Sequence, residues 1–138
     1  MDTETIEYED KRLGFIVRHD ANVQGKEFLS PDEDFMQIGY MNLKKGEKFS
    51  AHFHKIYSRT INKTQKAIYL ISGKMKFEFY NNEKKKIKEV IINAGDLIVL
   101  LDGGFGFEFL EDGKMIEIKQ GPYIDVEHDK EKFEPLGD

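Results

Sequence analysis

Residues 46–73 read GEKFSAHFHKIYSRTINKTQKAIYLISG and contain the closest pair of histidines in the chain, His52 and His54. Side chains two residues apart lie on the same face of a β-strand but point in different directions on a helix. Partial alternation over residues 48–54 predicts a strand that aims both imidazoles at one point. The apolar run that follows predicts a second strand, closed by Gly73. The stretch therefore predicts the beginning of a functional site built on β-structure.

The sequence on either side carries further short runs of alternating or apolar residues, separated by glycine and polar turn signals. Strands are predicted over residues 13–17, 35–43, 67–72, 74–80, 86–92, 97–101, 105–110 and 114–119, the last two joined by a hairpin turn at 111–113. Residues 21–34 and 55–65 are predicted to be loops. With roughly nine or ten short strands and no convincing amphipathic helix, the pattern favours an all-β sandwich or barrel.

Composition and charge limit the class of protein. A chain of 138 residues suits one domain with one core. Its 21 basic and 26 acidic residues give a net charge of −5, which disfavours nucleic-acid binding because that needs a basic face. Cysteine is absent, so neither disulfides nor thiolate chemistry is available. No apolar run reaches the ~20 residues that span a bilayer, and the acidic start lacks the order of a signal peptide. We therefore predict a cytoplasmic protein with no nucleic-acid or membrane partner.

Two spaced motifs match a known family. The residues that carry the likeness are Gly46, His52, His54 and Gly73 in the first motif and Gly95-Asp96, followed by the apolar residues 97–100, in the second. On these motifs the chain resembles the cupins, which are small jelly-roll barrels. The resemblance implies an all-β, cupin-type jelly-roll β-barrel with little or no helix. It also implies a single domain over residues 1–138, with a barrel core at about 35–120, an N-terminal strand extension at 1–34 and a charged tail at 124–138.

Three shorter motifs narrow the resemblance: Thr64-Gln65, Gly103-Gly104 and the QGPY sequence at residues 120–123. With these the chain is similar to small single-domain cupins that are often found among bacterial surface-polysaccharide enzymes. This likeness implies a sugar or sugar-nucleotide ligand.

Residues 97–101 are apolar on both faces, and one small barrel has only one interior. The second apolar face therefore predicts a homodimer packed through a sheet face.

The metal site of cupins is incomplete in this chain. The resemblance implies a metal-binding Glu where Lys66 stands and a His where Phe105 or Gly106 stands. His52 and His54 alone would hold a divalent ion weakly, because catalytic Zn²⁺ or Fe²⁺ normally has at least three protein ligands. We therefore expect no cofactor, with weak divalent metal binding as the alternative. The residues that could complete such a site are His19, His128, Glu108 and Glu117.

Polar side chains remain available for a ligand without a metal. His52 and His54 are the candidate catalytic residues, because imidazole exchanges protons near neutral pH. Lys66, Arg59 and Tyr40 are the candidate substrate-binding residues, since a cation attracts a carboxylate or phosphate and a tyrosine hydroxyl donates a hydrogen bond. Each also has an ordinary structural interpretation. Lys66 could be a strand-end charge that reaches solvent, Arg59 a solvated loop residue and Tyr40 a core aromatic.

Three function classes are open at this point. The first is a metal-independent sugar isomerase or epimerase, for which the resemblance implies proton transfer by histidine next to a carbonyl. The second is a metal-dependent cupin enzyme with unrecognised ligands. The third is a non-catalytic binding or regulatory cupin that holds an anionic or sugar-like small molecule. Proton exchange from a keto-sugar would favour the first class, stoichiometric metal the second, and ligand binding without turnover the third.

Overall fold

The computed structural model describes residues 3–137, and their regular secondary structure is nearly all β: 47% of the residues lie in strands and 3% in a helix. The strands are β1 Glu4–Tyr8, β2 Lys11–Val17, β3 Gly25–Phe28, β4 Gly39–Asn42, β5 Lys66–Tyr80, β6 Lys86–Asn93, β7 Leu97–Leu100 and β8 Gly104–Lys119, and the helix is α1 Val126–Asp129. The all-β prediction is therefore confirmed. No helix in the described part of the chain is long and apolar enough to cross a membrane.

The chain divides into two compact units. The first comprises Met1–Ala21 and Thr64–Asp138, and the second comprises Asn22–Lys63. The first unit holds an antiparallel sheet in the order β1-β2-β7-β5-β6, with β8 also paired to β5, and this sheet is curled into a half-barrel. The second unit holds the antiparallel pair β3–β4.

Strands β5 and β8 form the long axis of the first unit. β5 has 15 residues and β8 has 16, and they pair from Lys66↔Lys119 at one end to Tyr80↔Gly104 at the other. On its other side, β5 pairs with β7 through its first residues and with β6 through its last. Because one strand bridges two neighbours in this way, the sheet bends along β5.

The bend lies at glycines that the sequence pattern assigned to turns. Gly73 has φ +91°, and a Cβ there would come within 2.7 Å of the Asp112 carbonyl oxygen. The pairing of β5 with β8 shifts register at Leu70/Ser72, Ser72/Lys74 and Lys74/Met75. The predicted strand break at Gly73 and the predicted hairpin at 111–113 are therefore wrong. Both strands continue through a shared bulged region, where glycine allows the close approach and the kink.

The largest buried cluster of the first unit lies on one face of the sheet, and Phe15, Ala67 and Val99 are buried on the other face, so both faces of β7 are covered within the described chain. Alternation over residues 74–80 predicted Met75, Phe77 and Phe79 inward, and all three are fully buried. Residues from the other strands complete the cluster, namely Ile6, Leu13, Ile16, Ile68, Leu70, Val90, Ile92, Ile98 and Leu100. Ile6 belongs to β1, which the local pattern did not predict although the resemblance implies an N-terminal strand extension over 1–34, and Tyr8 of the same strand packs against the cluster.

The turn before β7 is held by a buried carboxylate. Asp96 Oδ1 accepts a hydrogen bond from the His19 backbone N–H at 2.7 Å and lies 3.0 Å from His19 Nδ1. Asp96 Oδ2 accepts from Arg18 Nη1 at 2.9 Å and from the Asn93 backbone N–H at 2.8 Å. The predicted turn at residues 94–96 into a buried strand is confirmed. Its aspartate also ties β7 to the end of β2.

The second unit contains little buried surface. Val23 and Ser30 are its buried residues, and residues 43–63 form neither helix nor strand. The predicted strand over 48–54 is therefore wrong, and the strand predicted over 35–43 shortens to β4. Residues 21–34, predicted to be a loop, include β3, whereas the loop predicted over 55–65 is confirmed. Alternation alone does not make a strand, since a strand needs a hydrogen-bonding neighbour and a face to bury.

Candidate functional site

The first unit contains a cavity of about 770 Å³. One side is formed by the start of β5, the end of β5 at Tyr80, and β8 with the turn that precedes it. The other side is formed by residues 129–135 of the C-terminal segment. The sequence pattern treated this segment only as a charged tail, so this side of the cavity was not anticipated.

A lysine–glutamate pair lies in this cavity. Lys66 Nζ is 2.8 Å from Glu117 Oε1, and the Lys66 side chain is only 9% exposed against 34% for Glu117. Glu117 is directly paired with Ile68, two residues from Lys66, so both side chains project from the same face of the β5–β8 ladder. The hydrogen bond from Lys66 outweighs burial and holds the pKa of Glu117 below its usual value. Lys66 therefore lies in the pocket rather than reaching solvent.

Lys66 also contacts Phe105, which stands where the resemblance implies a metal-binding His. Its Nζ lies 4.6 Å from the centre of the Phe105 ring, which is within the range of a cation–π contact. Lys66 and Phe105, which occupy two of the positions where the resemblance implies metal ligands, are thus adjacent in space. Neither residue suits a metal, since a phenyl ring has no lone pair and an ion-paired ammonium group only donates. The residues at these two positions do not fit the metal that the resemblance implies.

A second ion pair joins β8 to the C-terminal segment. Lys119 Nζ is 3.1 Å from Asp129 Oδ2, and both side chains are about one-fifth exposed, at 20% and 18%. The hydrogen bond that Lys119 donates to Asp129 raises the pKa of Lys119. Lys119 Nζ also lies 5.3 Å from the centre of the Tyr123 ring. The pair places two opposite charges at the rim of the cavity.

Aromatic rings form the apolar part of the wall. Phe105 and Phe107 of β8, Tyr80 of β5 and Phe133 of the C-terminal segment all line the cavity. Phe133 meets Tyr80 edge to face with ring centres 5.4 Å apart. Burial, followed by a hydrogen bond to Glu78, raises the pKa of Tyr80 to about 12. Tyr80 is therefore a neutral hydrogen-bonding group at physiological pH.

The charges that line the cavity nearly cancel. Four lysines, at positions 66, 119, 130 and 132, stand against five carboxylates, at 102, 117, 129, 131 and 134. The formal charge of the lining is −1. The lining combines apolar rings with paired hydrogen-bonding groups and has no strong net charge.

The histidines of the HxH motif belong to the second unit. The structure brings the rings of His52 and His54 together, with centres 5.3 Å apart in an edge-to-face arrangement. His52 Nδ1 lies 2.7 Å from the Ser50 carbonyl oxygen. Both side chains are exposed in a segment without regular structure, not on the strand that was predicted. They are therefore neighbours in an irregular segment rather than on a sheet face.

The two remaining candidate binding residues also belong to the second unit. The Arg59 guanidinium carbon lies 3.8 Å from the centre of the Tyr57 ring, and Arg59 is exposed. Tyr40 is half-buried on β4, opposite Glu27 of β3. Of the five candidate site residues, Lys66 is therefore the one that belongs to the first unit with the cavity.

The residues considered as additional metal ligands each pair with another side chain. His19 pairs with Asp96, His128 with Asp125, Glu108 with Lys76 and Glu117 with Lys66. Within residues 3–137, no cluster of three or more His, Asp or Glu side chains is arranged to hold a metal ion.

Several pocket residues were missed by the sequence pattern. Glu117 was considered only as a metal ligand, and Lys119, Tyr80, Asp129 and Phe133 were not considered. Alternation over residues 114–119 could have placed Glu117 and Lys119 on one face of a strand. Nothing in the local sequence marks Asp129 or Phe133, because their role depends on where the C-terminal segment folds.

No protein-family model, curated protein or solved structure matches this chain. The functional proposal therefore rests on the residues of the cavity and of the HxH segment.

Proposed function

We propose that this chain is a cupin-like, jelly-roll binding protein whose cavity takes a small hydroxyl-rich ligand, a sugar or the sugar part of a sugar nucleotide. The observation that carries the proposal is the composition of the cavity lining. Four aromatic rings stand beside two ion pairs, Lys66–Glu117 and Lys119–Asp129. A surface-polysaccharide setting, which the sequence resemblance implies, agrees with such a ligand.

The aromatic rings suit the apolar face of a sugar ring. Ligand pockets combine predominantly apolar and aromatic walls with a small number of polar groups that fix orientation. A pyranose offers C–H groups on one face and hydroxyls around its edge, so it needs both kinds of wall. Phe105 and Phe133 could cover the C–H face while Lys66 and Glu117 meet the hydroxyls.

The ion pairs retain capacity for further hydrogen bonds. An ionised carboxylate has about four acceptor sites, and an ammonium group has three donors. Within the described residues, Glu117 accepts one hydrogen bond, the one from Lys66. A hydroxyl group both donates and accepts, so it can bridge such a pair without changing its charge. The near-neutral lining favours this kind of ligand over a free phosphate.

The protonation states of the cavity favour binding over proton transfer. General acid–base catalysis works best when the pKa of the group lies near the operating pH. Here the pKa of Glu117 is lowered, that of Lys119 is raised and that of Tyr80 is about 12. Each group therefore keeps one protonation state at neutral pH. We accordingly favour a binding or regulatory role for the cavity, and we expect no cofactor for it.

A sugar isomerase or epimerase is the second candidate, and one observation favours it. His52 and His54 lie next to each other with both rings exposed, which suits a pair of proton-transfer groups. Its test is exchange of the proton beside the carbonyl of a keto-sugar in D₂O. Exchange that is lost in His52→Ala or His54→Ala would establish this activity. Exchange that persists in both variants would show that residues other than His52 and His54 transfer the proton.

The binding proposal is tested with defined sugars. N-acetylglucosamine, galactose, rhamnose and UDP-N-acetylglucosamine serve as probes in saturation-transfer NMR and calorimetry. The double variant Lys66→Met/Glu117→Gln removes the cavity pair while keeping side-chain size. Its control is Lys76→Met/Glu108→Gln, which removes a lysine–glutamate pair 3.6 Å apart on the same two strands. We expect binding by at least one probe, lost in the first variant and kept in the second. No transfer to any probe would contradict the proposal.

A homodimer is part of the proposal. Tyr69 of β5 is directly paired with Ile116 of β8, and both are about half exposed, as is Ile118 on the same face. An identical strip related by a two-fold axis would cover these side chains. We expect light scattering to give twice the chain mass at micromolar concentration, and Ile116→Lys to give the monomer. A monomeric wild type would contradict the dimer.

A further inference from the structure

The C-terminal segment supplies a wall of the cavity but is attached to the rest of the first unit at few points. We refer to residues 120–137 as the strap. We infer that the strap is a movable cover that opens to admit the ligand and closes over it, with Phe133 as the ring that seals the pocket. Control of ligand access by the strap rests on the proposed function, whereas its opening can be measured without any ligand.

Two contacts hold the start of the strap: Gln120 Oε1 accepts a hydrogen bond from the Gln65 backbone N–H at 2.9 Å, and the Tyr123 ring centre lies 5.3 Å from Lys119 Nζ. Three more contacts hold its second half. Asp129 pairs with Lys119 at the end of β8, at 3.1 Å. Phe133 packs edge to face against Tyr80, with ring centres 5.4 Å apart. The Leu136 backbone N–H donates to the Lys84 carbonyl oxygen at 3.0 Å. Asp129 and Phe133 lie within residues 129–135, which face the cavity, and Leu136 follows them directly.

The rest of the strap adds little burial. Every residue from 121 to 128 is exposed, including the apolar side chains of Tyr123, Ile124 and Val126. Helix α1 is a single turn with no buried residue, and Asp125 caps it. Segments with few buried apolar contacts open at much lower free energy than the core of a sheet. Opening of the strap therefore leaves the β5–β8 ladder and its core intact, as in enzymes and binding proteins whose lids control access.

Gly104 is the point on the sheet where the strap rests. A Cβ at position 104 would come 2.9 Å from Phe133 Cζ and 3.0 Å from Phe133 Cε1. A Cβ at Gly106, two residues along the same strand, would meet only Tyr80 Cε2 at 3.9 Å. Because neither glycine has a positive φ, alanine is compatible with the backbone at both positions. The two alanine variants therefore differ in whether they displace Phe133.

The first measurement is hydrogen exchange of ligand-free protein at neutral pH. We expect Gly104→Ala to accelerate exchange of the Leu136 amide about tenfold, because the displaced Phe133 ring releases the strap. Gly106→Ala should leave that rate within about twofold of the wild type. Phe133→Ala, which removes the ring without adding a clash, should accelerate it as Gly104→Ala does. Equal rates in both glycine variants, or an unchanged rate in Phe133→Ala, would overturn the inference.

The second measurement adds a sugar probe, UDP-N-acetylglucosamine, to the wild type. If the probe binds in saturation-transfer NMR and exchange at Leu136 slows, the strap closes over the ligand. If the probe binds and the exchange rate of the Leu136 amide is unchanged, the strap does not control ligand access, and that part of the inference is wrong. If no sugar probe binds, the proposed function fails, whereas the glycine variants still decide whether the strap is movable.

Discussion

Two carboxylates in the first unit, Asp96 and Glu117, are both held by basic side chains but have different surroundings. Asp96 is fully buried and has four nitrogen partners, two from His19, one from Arg18 and one from Asn93. Both of its oxygens are thus used within the protein. A carboxylate in this state ties chain segments together and has little capacity for a ligand.

Glu117 is the opposite case. Its side chain is 34% exposed, faces a cavity and, within residues 3–137, accepts one hydrogen bond, from Lys66. Both carboxylates have a lowered pKa, but the balance of causes differs. For Asp96 burial is the largest single influence and opposes ionisation, and hydrogen bonds from Asn93, His19 and Arg18 together outweigh it. For Glu117 the hydrogen bond from Lys66 is the largest influence. The comparison teaches that the number of bonds already made, not the pKa, distinguishes a structural carboxylate from one available to a ligand.

The largest effect is expected at Asp96. Asp96→Asn places an amide N–H₂ group against backbone and guanidinium donors, and it removes the charge that faces Arg18. We expect the free energy of unfolding to fall by about 3–5 kcal/mol, the range for breaking a buried ion pair, measured by urea denaturation. Asp20→Asn is the control, since Asp20 is an exposed carboxylate in the same region. A loss at Asp96 no greater than at Asp20 would remove the basis of the comparison.

A smaller effect is expected at the cavity pair. Lys66→Met leaves the Glu117 carboxylate without its partner, and we expect a loss of about 1–3 kcal/mol because Glu117 can still turn to water. Adding Glu117→Gln should recover most of the loss, since replacing both members of a pair by neutral groups is often nearly neutral. Thermal unfolding of the three proteins at pH 7 is the measurement. No recovery in the double variant would mean that Lys66 acts through packing on Phe105 instead.

Acid should reduce the contribution of the cavity pair. The pKa of Glu117 in the folded protein lies below its ordinary value of 4.5, so the folded state binds the Glu117 proton less tightly than the unfolded state. The stabilisation is therefore fully present above about pH 4.5 and is lost as the pH falls through the lower folded value. We expect the stability difference between wild type and Glu117→Gln to shrink on this acid side. A difference that is the same at pH 7 and pH 3 would contradict an ionic role for Glu117.

The smallest effect is expected at the matched pair Lys76–Glu108, in which Glu108 is 64% exposed and Lys76 27%. Lys76 lies 3.6 Å from Glu108 and 3.4 Å from Glu78, on the same β5–β8 ladder as Lys66. A pair with one exposed member contributes little because water and salt screen it, and Lys76 has a second carboxylate beside it. Lys76→Met should therefore leave the thermal midpoint unchanged within error and leave sugar binding intact. A clear drop in the midpoint would show that the position of a pair on the ladder, rather than its burial, decides its contribution.

Much of the first unit could be predicted from local pattern. The alternation over residues 74–80 predicted which side chains enter the core, and Gly95-Asp96 predicted the turn into β7. These features depend on the residue and its near neighbours, because alternation fixes the face of a strand and turn chemistry fixes where the chain reverses. Lys66 was a candidate only because it stands where the resemblance implies a metal-binding Glu, and its strand-end position by itself predicted a charge that reaches solvent.

The same local signals misassigned residues whose partners are far away in the chain. Gly73 and Gly113 were interpreted as the ends of strands, yet they lie opposite each other where β5 and β8 bend together. The segment 48–54 alternates like a strand, but it pairs with no other strand in the described chain and remains exposed. For the two glycines the partner lies on a distant strand, whereas residues 48–54 have no partner strand in the described chain.

The sequence by itself thus determined an all-β protein, the buried face of its main sheet and the polar residue at the start of β5. Only the tertiary structure decided that Glu117 is the partner of Lys66 and that Phe133, 67 positions beyond Lys66, covers the same cavity. The physical reason is that side-chain direction is set by the local backbone. Which charge, ring or edge it meets is set by the packing of segments that no short-range pattern relates.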